Sequence, residues 1–201
     1  MWFLGGVIVG LLLLILFDVV DAVYSSQARY PGDALTLAVG LISIVAVVVF
    51  YGFFISAIVF FCMWLHRVVR NMPSLGSPDP RWSPARAVVY CFVPILNLLH
   101  PFWSVLDAWR GADPSRRWTD LSTRRAIRPS ALLGGWWALW LIGGVLSRIS
   151  FYMSSSAGGS LVDVVANVAI IGAAVLAILV VRDVTARQEY KQGLISTGQL
   201  V

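Results

Sequence analysis

The feature that most constrains this fold is a long apolar run without charge. From Leu35 to Leu65 the chain carries no Asp, Glu, Lys or Arg. About 20 apolar residues are enough for a helix to cross the hydrocarbon core of a bilayer. Only helices and closed barrels satisfy all their backbone hydrogen bonds there. The run therefore predicts a spanning helix that is longer than a bilayer needs and that tilts or projects beyond it.

Further apolar runs resemble this one, and composition supports the same reading. Of all residues 59% are hydrophobic and 12% are charged, which is about half the charged share of a soluble domain. No basic residue precedes the first run and no small-x-small cleavage site follows it, so we interpret it as a retained span. We expect residues 1–201 to form one all-α transmembrane domain with spans at about 2–24, 35–65, 130–149 and 161–181.

The segment from about 87 to 109 starts apolar, contains Pro94, Asn97 and Pro101, and then becomes amphipathic. If it does not cross the bilayer, 13 basic residues lie on one side and 2 on the other; if it crosses, the best split is 10 to 5. Cytoplasmic loops carry an excess of Lys and Arg, which favours the first arrangement. The sequence thus predicts four spans plus a proline-broken re-entrant or interfacial hairpin, with both termini on the cytoplasmic side of the cell membrane.

An ordered set of motifs lies between Phe61 and Trp140. The second span ends in WLHRVVRN, residues 64–71, and the later motif residues are Ser83, Pro84, Pro94, Asn97, Pro101, Asp107 and Trp109. This set resembles the uncharacterised bacterial membrane family catalogued as domain of unknown function 4328. The chain departs from the family pattern in having Phe102 for Tyr and Asp107 for Glu. The resemblance implies a multi-span bundle and implies no activity.

The motif residues Arg67, Arg70, Asn71 and Asp107 form the first candidate site. Arg67 and Arg70 are three residues apart and share a helical face. One interpretation is structural: a bidentate ion pair with Asp107 would lock the hairpin to the second span. The other is a binding site for an anionic lipid or ligand, because a guanidinium matches phosphate geometry.

A basic loop between Arg110 and Arg128 contains six arginines. They either only orient the chain or also attract anionic lipid, at about 1 kcal/mol per basic residue near a negative surface. Basic residues mixed with tryptophan are typical of membrane interfaces, so we predict lipid contact and no nucleic acid. The loop arginines assigned to this site are Arg116, Arg117, Arg124 and Arg125.

Neither motifs nor residue spacing indicates catalysis. His66 and His100 are the only histidines, and Cys62 and Cys91 both lie in apolar segments. The chain has no zinc-protease pair, Gly-rich phosphate loop or nucleophile elbow. We predict no catalytic residue, metal or cofactor. The favoured function is a non-enzymatic scaffold or interaction protein whose basic cytoplasmic face contacts anionic lipid or a protein partner. The alternative is a small transporter or channel that uses the hairpin, and homo-oligomerisation stays open.

Overall fold

The computed structural model describes residues 34–77, 80–114, 127–153 and 157–199, and this part of the chain consists of helices joined by turns. The all-α prediction is confirmed. The predicted span at 2–24 lies outside the described residues. In chain order the helices are α1 (Ala34–Arg70), a 3-10 turn (Pro73–Leu75), α2 (Pro84–Val89), α3 (Pro94–Asn97), α4 (His100–Gly111), α5 (Ala131–Tyr152) and α6 (Ala157–Ser196).

Three helices in the described ranges are long and apolar enough to cross a membrane: Gly40–Arg70, Ala131–Tyr152 and Leu161–Ser196. The surface of α1 is apolar as well as exposed, and Leu41 and Val48 are each 65% exposed. Continuous apolar surface of this kind is covered by lipid or by a partner. The three helices indicate a membrane-associated, multi-pass protein.

The last helix is longer than predicted. The predicted span at 161–181 ends before Arg182, whereas α6 continues to Ser196. Val184, Gln188 and Lys191 are three or four residues apart and are buried along one face. Such spacing gives a helix a continuous packed stripe. Packing on this stripe therefore stabilises the helix beyond the predicted span.

The described residues form two compact units, one within Met1–Val59 and Ile142–Val175 and the other within Phe60–Leu141 and Leu176–Val201. In the first unit α5 and α6 approach closely, since a Cβ added at Gly143 would lie 2.6 Å from Cγ1 of Ile170. Ala166 and Ala169 of α6 are buried, and small residues permit such approach. That the whole chain forms one domain stays a prediction.

The second unit has its core around α4. Every residue of α4 from Ser104 to Gly111 is buried. Both α2 and α3 pack against α4, so α2 to α4 form a helical hairpin. The core also contains side chains of α1, α5 and α6, among them Leu65, Val68, Leu133, Val180 and Val184.

The prolines of the hairpin begin helices and do not break one. Pro84, Pro94 and Pro101 each lie in the first turn of a separate short helix. The first turn is where a helix does not use its N–H groups, so proline costs no hydrogen bond there. At α2 the cap is completed by Ser83, whose Oγ accepts from the backbone N–H of Arg86 at 3.4 Å. The predicted hairpin is thus divided into separate helices at its prolines, and its re-entrant or interfacial position stays a prediction.

Candidate functional site

A groove of about 840 Å³ lies in the second unit between the end of α1 and α2. It brings together three of the predicted site residues, Arg67, Arg70 and Asn71. The remaining lining residues are Cys62, Met63 and His66 of α1 and Ala85, Val88 and Val89 of α2. One helical face thus supplies most of one wall, and the first helix of the hairpin supplies the other.

The chemistry of the groove changes along α1. Arg70 lies eight positions after Cys62, which is about 12 Å along a helix axis. Cys62 and Met63 are apolar, whereas Arg67, Arg70 and Asn71 carry cationic or amide donors. The groove therefore has an apolar end and a cationic end, a pattern suited to an amphipathic anion.

Asp107 lies elsewhere and has a different partner. Its side chain is 4% exposed in the buried part of α4, and its Oδ2 accepts from the backbone N–H of Arg81 at 2.8 Å. Within residues 34–77 and 80–114, neither Arg67 nor Arg70 forms an ion pair with Asp107. The ion pair expected from the sequence is absent there because α4 turns its carboxylate into the core, while the two arginines stay exposed on α1.

Asp107 instead positions the wall of the groove formed by α2. The hydrogen bond to Arg81 holds the segment just before α2 against α4. The guanidinium of Arg81 lies over the ring of Trp103, 4.9 Å from its centroid, a distance at which cation–π attraction is effective. Both the backbone and the side chain of Arg81 are therefore bound to α4.

A polar network joins α4 to α6. Nε1 of Trp109 donates to Oδ2 of Asp183 at 2.7 Å, and Nε of Arg187 donates to Oδ1 of the same carboxylate at 3.0 Å. Arg187 also lies over the Trp109 ring, 4.5 Å from its centroid. At the end of α4, Nζ of the fully buried Lys191 donates to the carbonyl of Gly111 at 2.9 Å.

The same stretch of α6 also holds α1, through side chains on a different part of its circumference. Nε1 of Trp64 donates to Oγ1 of Thr185 at 3.1 Å, and Nε2 of Gln188 donates to the carbonyl of Val68 at 2.9 Å. The α1 wall of the groove is thus bound to α6 on its other side. Sequence reasoning missed these residues of α6, although polar side chains at helical spacing in the tail were a usable signal.

The hairpin ends in an apolar tip, which we define as residues 89–99. Its exposure is high, and Ile95 is 80% exposed. Of the predicted hairpin residues, Pro94 is exposed in the tip, Asn97 is half-buried there, and Pro101 is buried at the start of α4. The exposed apolar side chains of the tip are those of Val89, Phe92, Val93, Ile95, Leu98 and Leu99.

Two observations concern the reactivity of cysteine and the binding of metal ions. The thiol of Cys91 is half-buried, and its Sγ donates to the carbonyl of Ala87 at 3.3 Å. In the described ranges no group of three or more His, Cys, Asp or Glu side chains could hold a metal ion. The loop arginines Arg116, Arg117, Arg124 and Arg125 lie outside the described residues.

Comparison with known families confirms the resemblance that the motifs indicate. The family model described as a domain of unknown function (DUF4328) matches residues 25–186. The chain belongs to the DUF4328 family. Of the motifs, Trp64, Asp107 and Trp109 hold the DUF4328 second unit together, whereas Arg67, Arg70 and Asn71 line its groove. No curated protein and no solved structure matches the chain significantly.

Proposed function

We propose that this protein is a non-enzymatic membrane protein whose hairpin tip enters the cytoplasmic leaflet and whose basic cytoplasmic face binds anionic lipid. The observation that carries the proposal is the apolar tip. Phe92, Ile95 and Leu99 are 64%, 80% and 57% exposed. Exposing such an apolar cluster to water is unfavourable. A bilayer next to the tip would cover it.

The arrangement of the second unit supports a hairpin that enters and leaves on one side of the membrane. The end of α1 and the end of α4 both bind the last turns of α6, through Val68 with Gln188 and Gly111 with Lys191. A crossing hairpin would put the ends of α1 and α4 on opposite faces. The 13-to-2 distribution of basic residues favours the same side, with four spans and cytoplasmic termini.

The prolines favour this proposal over a transporter. Transporter sites at membrane depth use unwound helices whose free carbonyls bind the cargo. Here Pro94 and Pro101 begin helices, and turn hydrogen bonds continue between them, such as Asn97 N–H to the Val93 carbonyl at 2.7 Å. The tip is therefore better suited to insertion than to conduction.

Environment-sensitive labels test the tip. In a background lacking Cys62 and Cys91, a fluorophore at Ile95→Cys should be quenched by spin-labelled lipid in vesicles, whereas one at Ser74→Cys, an exposed position after α1, should be quenched by an aqueous reagent. If position 95 responds like position 74, the tip does not insert.

Labelling with an impermeant reagent tests topology. Ser74→Cys and Thr197→Cys are both exposed and should react from the same side of oriented vesicles. Reaction from opposite sides would mean that the hairpin crosses, and would reject the four-span arrangement.

Lipid binding is tested by native mass spectrometry in mixed detergent and lipid. The chain should carry more phosphatidylglycerol than phosphatidylcholine, and the preference should weaken with salt because such attraction is screened. Changing Arg116, Arg117, Arg124 and Arg125 together to Gln should reduce it. Equal binding of both lipids by the wild-type chain would reject an anionic-lipid function.

A further inference from the structure

The cationic end of the groove is formed by Arg67 and Arg70. Arg67 and Arg70 are one helical turn apart, so their Cβ atoms are about 5–6 Å apart, and both side chains are exposed and line the groove. Among the described residues no carboxylate forms an ion pair with either of them. Two guanidinium groups near one another, with the Asn71 amide beside them, match the oxygens of a phosphate.

The groove continues beyond these cations along an apolar surface. Met63 is 53% exposed and Val89 is 56% exposed, and both line the groove together with Val88. Free phosphate would leave this surface uncovered. A phospholipid covers both ends, with its phosphate at the arginines and an acyl chain against Met63 and the α2 wall.

We propose that the groove is a discrete site for one anionic glycerophospholipid per chain; this rests on the proposed function and narrows it to one location. The walls are held in place before a lipid arrives. Trp64 and Gln188 bind α1 to α6, and Asp107 binds the start of α2 to α4. Preorganised walls reduce the cost of binding, so this lipid should be retained when the more diffuse lipid contacts of the basic face are lost to salt.

Filling the groove tests the site without changing charge. Ala85 is exposed and lines the groove, so Ala85→Phe should occupy the space of the lipid. Ala186→Phe, at an exposed position of α6 outside the groove, is the matched control. Native mass spectra at raised salt should show one phosphatidylglycerol on the wild-type chain and on the control, and about tenfold weaker binding or less to Ala85→Phe.

Removing the cations gives a second variant that does not depend on groove packing. Arg67→Gln with Arg70→Gln should also weaken the salt-resistant lipid by about tenfold or more, because two charge-assisted hydrogen bonds are lost. Arg128→Gln with Arg182→Gln removes the same charge from exposed positions outside the groove and should leave that lipid bound. If Ala85→Phe fails to fold, the arginine pair decides the question.

The outcomes separate the two proposals. If the wild-type chain prefers phosphatidylglycerol but the groove variants behave like their controls, the basic face binds lipid and the groove site is rejected. If the wild-type chain has no preference, both proposals fail. Displacement of the lipid by inorganic phosphate at constant ionic strength would identify free phosphate as the ligand and overturn the phospholipid assignment.

Discussion

The two ends of the hairpin differ in both composition and surroundings. At the base, α4 is buried from Ser104 to Gly111 and bonded to α6. At the tip, residues 89–99 have their apolar side chains exposed, up to 80% at Ile95. The base carries Asp107, Trp109 and Arg110, whose polar atoms require fixed partners, whereas Asn97 is the tip's only amide side chain.

The difference shows how one short hairpin combines a rigid base with an exposed apolar surface. Polar groups buried at the base specify one arrangement, since each needs a partner of defined geometry. The apolar tip requires only a medium that excludes water. The groove lies beside the rigid part, where α1 and the start of α2 are held, and Val89 is the one tip residue among its lining residues.

The largest expected effect comes from breaking the base at Trp109. Trp109→Ala removes a 9%-exposed ring and its hydrogen bond to Asp183. Large aromatic deletions of this kind cost about 3–5 kcal/mol. Thermal unfolding in detergent should therefore shift to clearly lower temperature.

A matched variant separates the ring from its hydrogen bond. Trp109→Phe keeps an aromatic ring but removes the donor to Asp183 and should lose only part of the stability, about 1–3 kcal/mol. If Trp109→Ala unfolds at the wild-type temperature, α4 is not bonded to α6 as described.

A smaller effect is expected at Asp107. Asp107→Ala leaves the part-buried N–H of Arg81 without this acceptor, at a cost of about 1–3 kcal/mol. Exchanging Asp107 and Arg67 should not restore stability, because the two side chains are not paired. Unfolding of the single and exchanged variants in detergent checks both statements, and recovery in the exchanged variant would reinstate the ion pair expected from the sequence.

The sequence predicts the spans better than the contacts between them. Apolar length is a local property, so α1 and α5 begin and end close to the predicted bounds. The partners of Trp64 and Trp109 are 121 and 74 residues away in the chain, and one sequence contains no information on such pairs. Those partners, Thr185 and Asp183, lie beyond the predicted span at 161–181.

The site is predictable in its residues but not in its geometry. Spacing alone placed Arg67 and Arg70 on one face. Whether Asp107 points at them depends on the rotation of α4 about its axis, which the core around Val105 and Leu106 determines. Likewise, the sequence marks Pro94 and Pro101 as helix breakers, but their first-turn position depends on where the neighbouring turns close.

The smallest expected effect is at the tip. Ile95→Ser changes an 80%-exposed side chain, and such surface changes are usually within about 0.5 kcal/mol. Val105→Ser, a fully buried position of α4, should by contrast cost several times more, because it leaves a cavity and buries a hydroxyl. Thermal unfolding of both variants in detergent measures the contrast.

Ile95→Ser should still reduce quenching of a fluorophore at Phe92→Cys by spin-labelled lipid, since burying a hydroxyl in the leaflet is unfavourable. A strong loss of stability from Ile95→Ser would show that the tip is part of a protein core, and the comparison between tip and base would no longer hold.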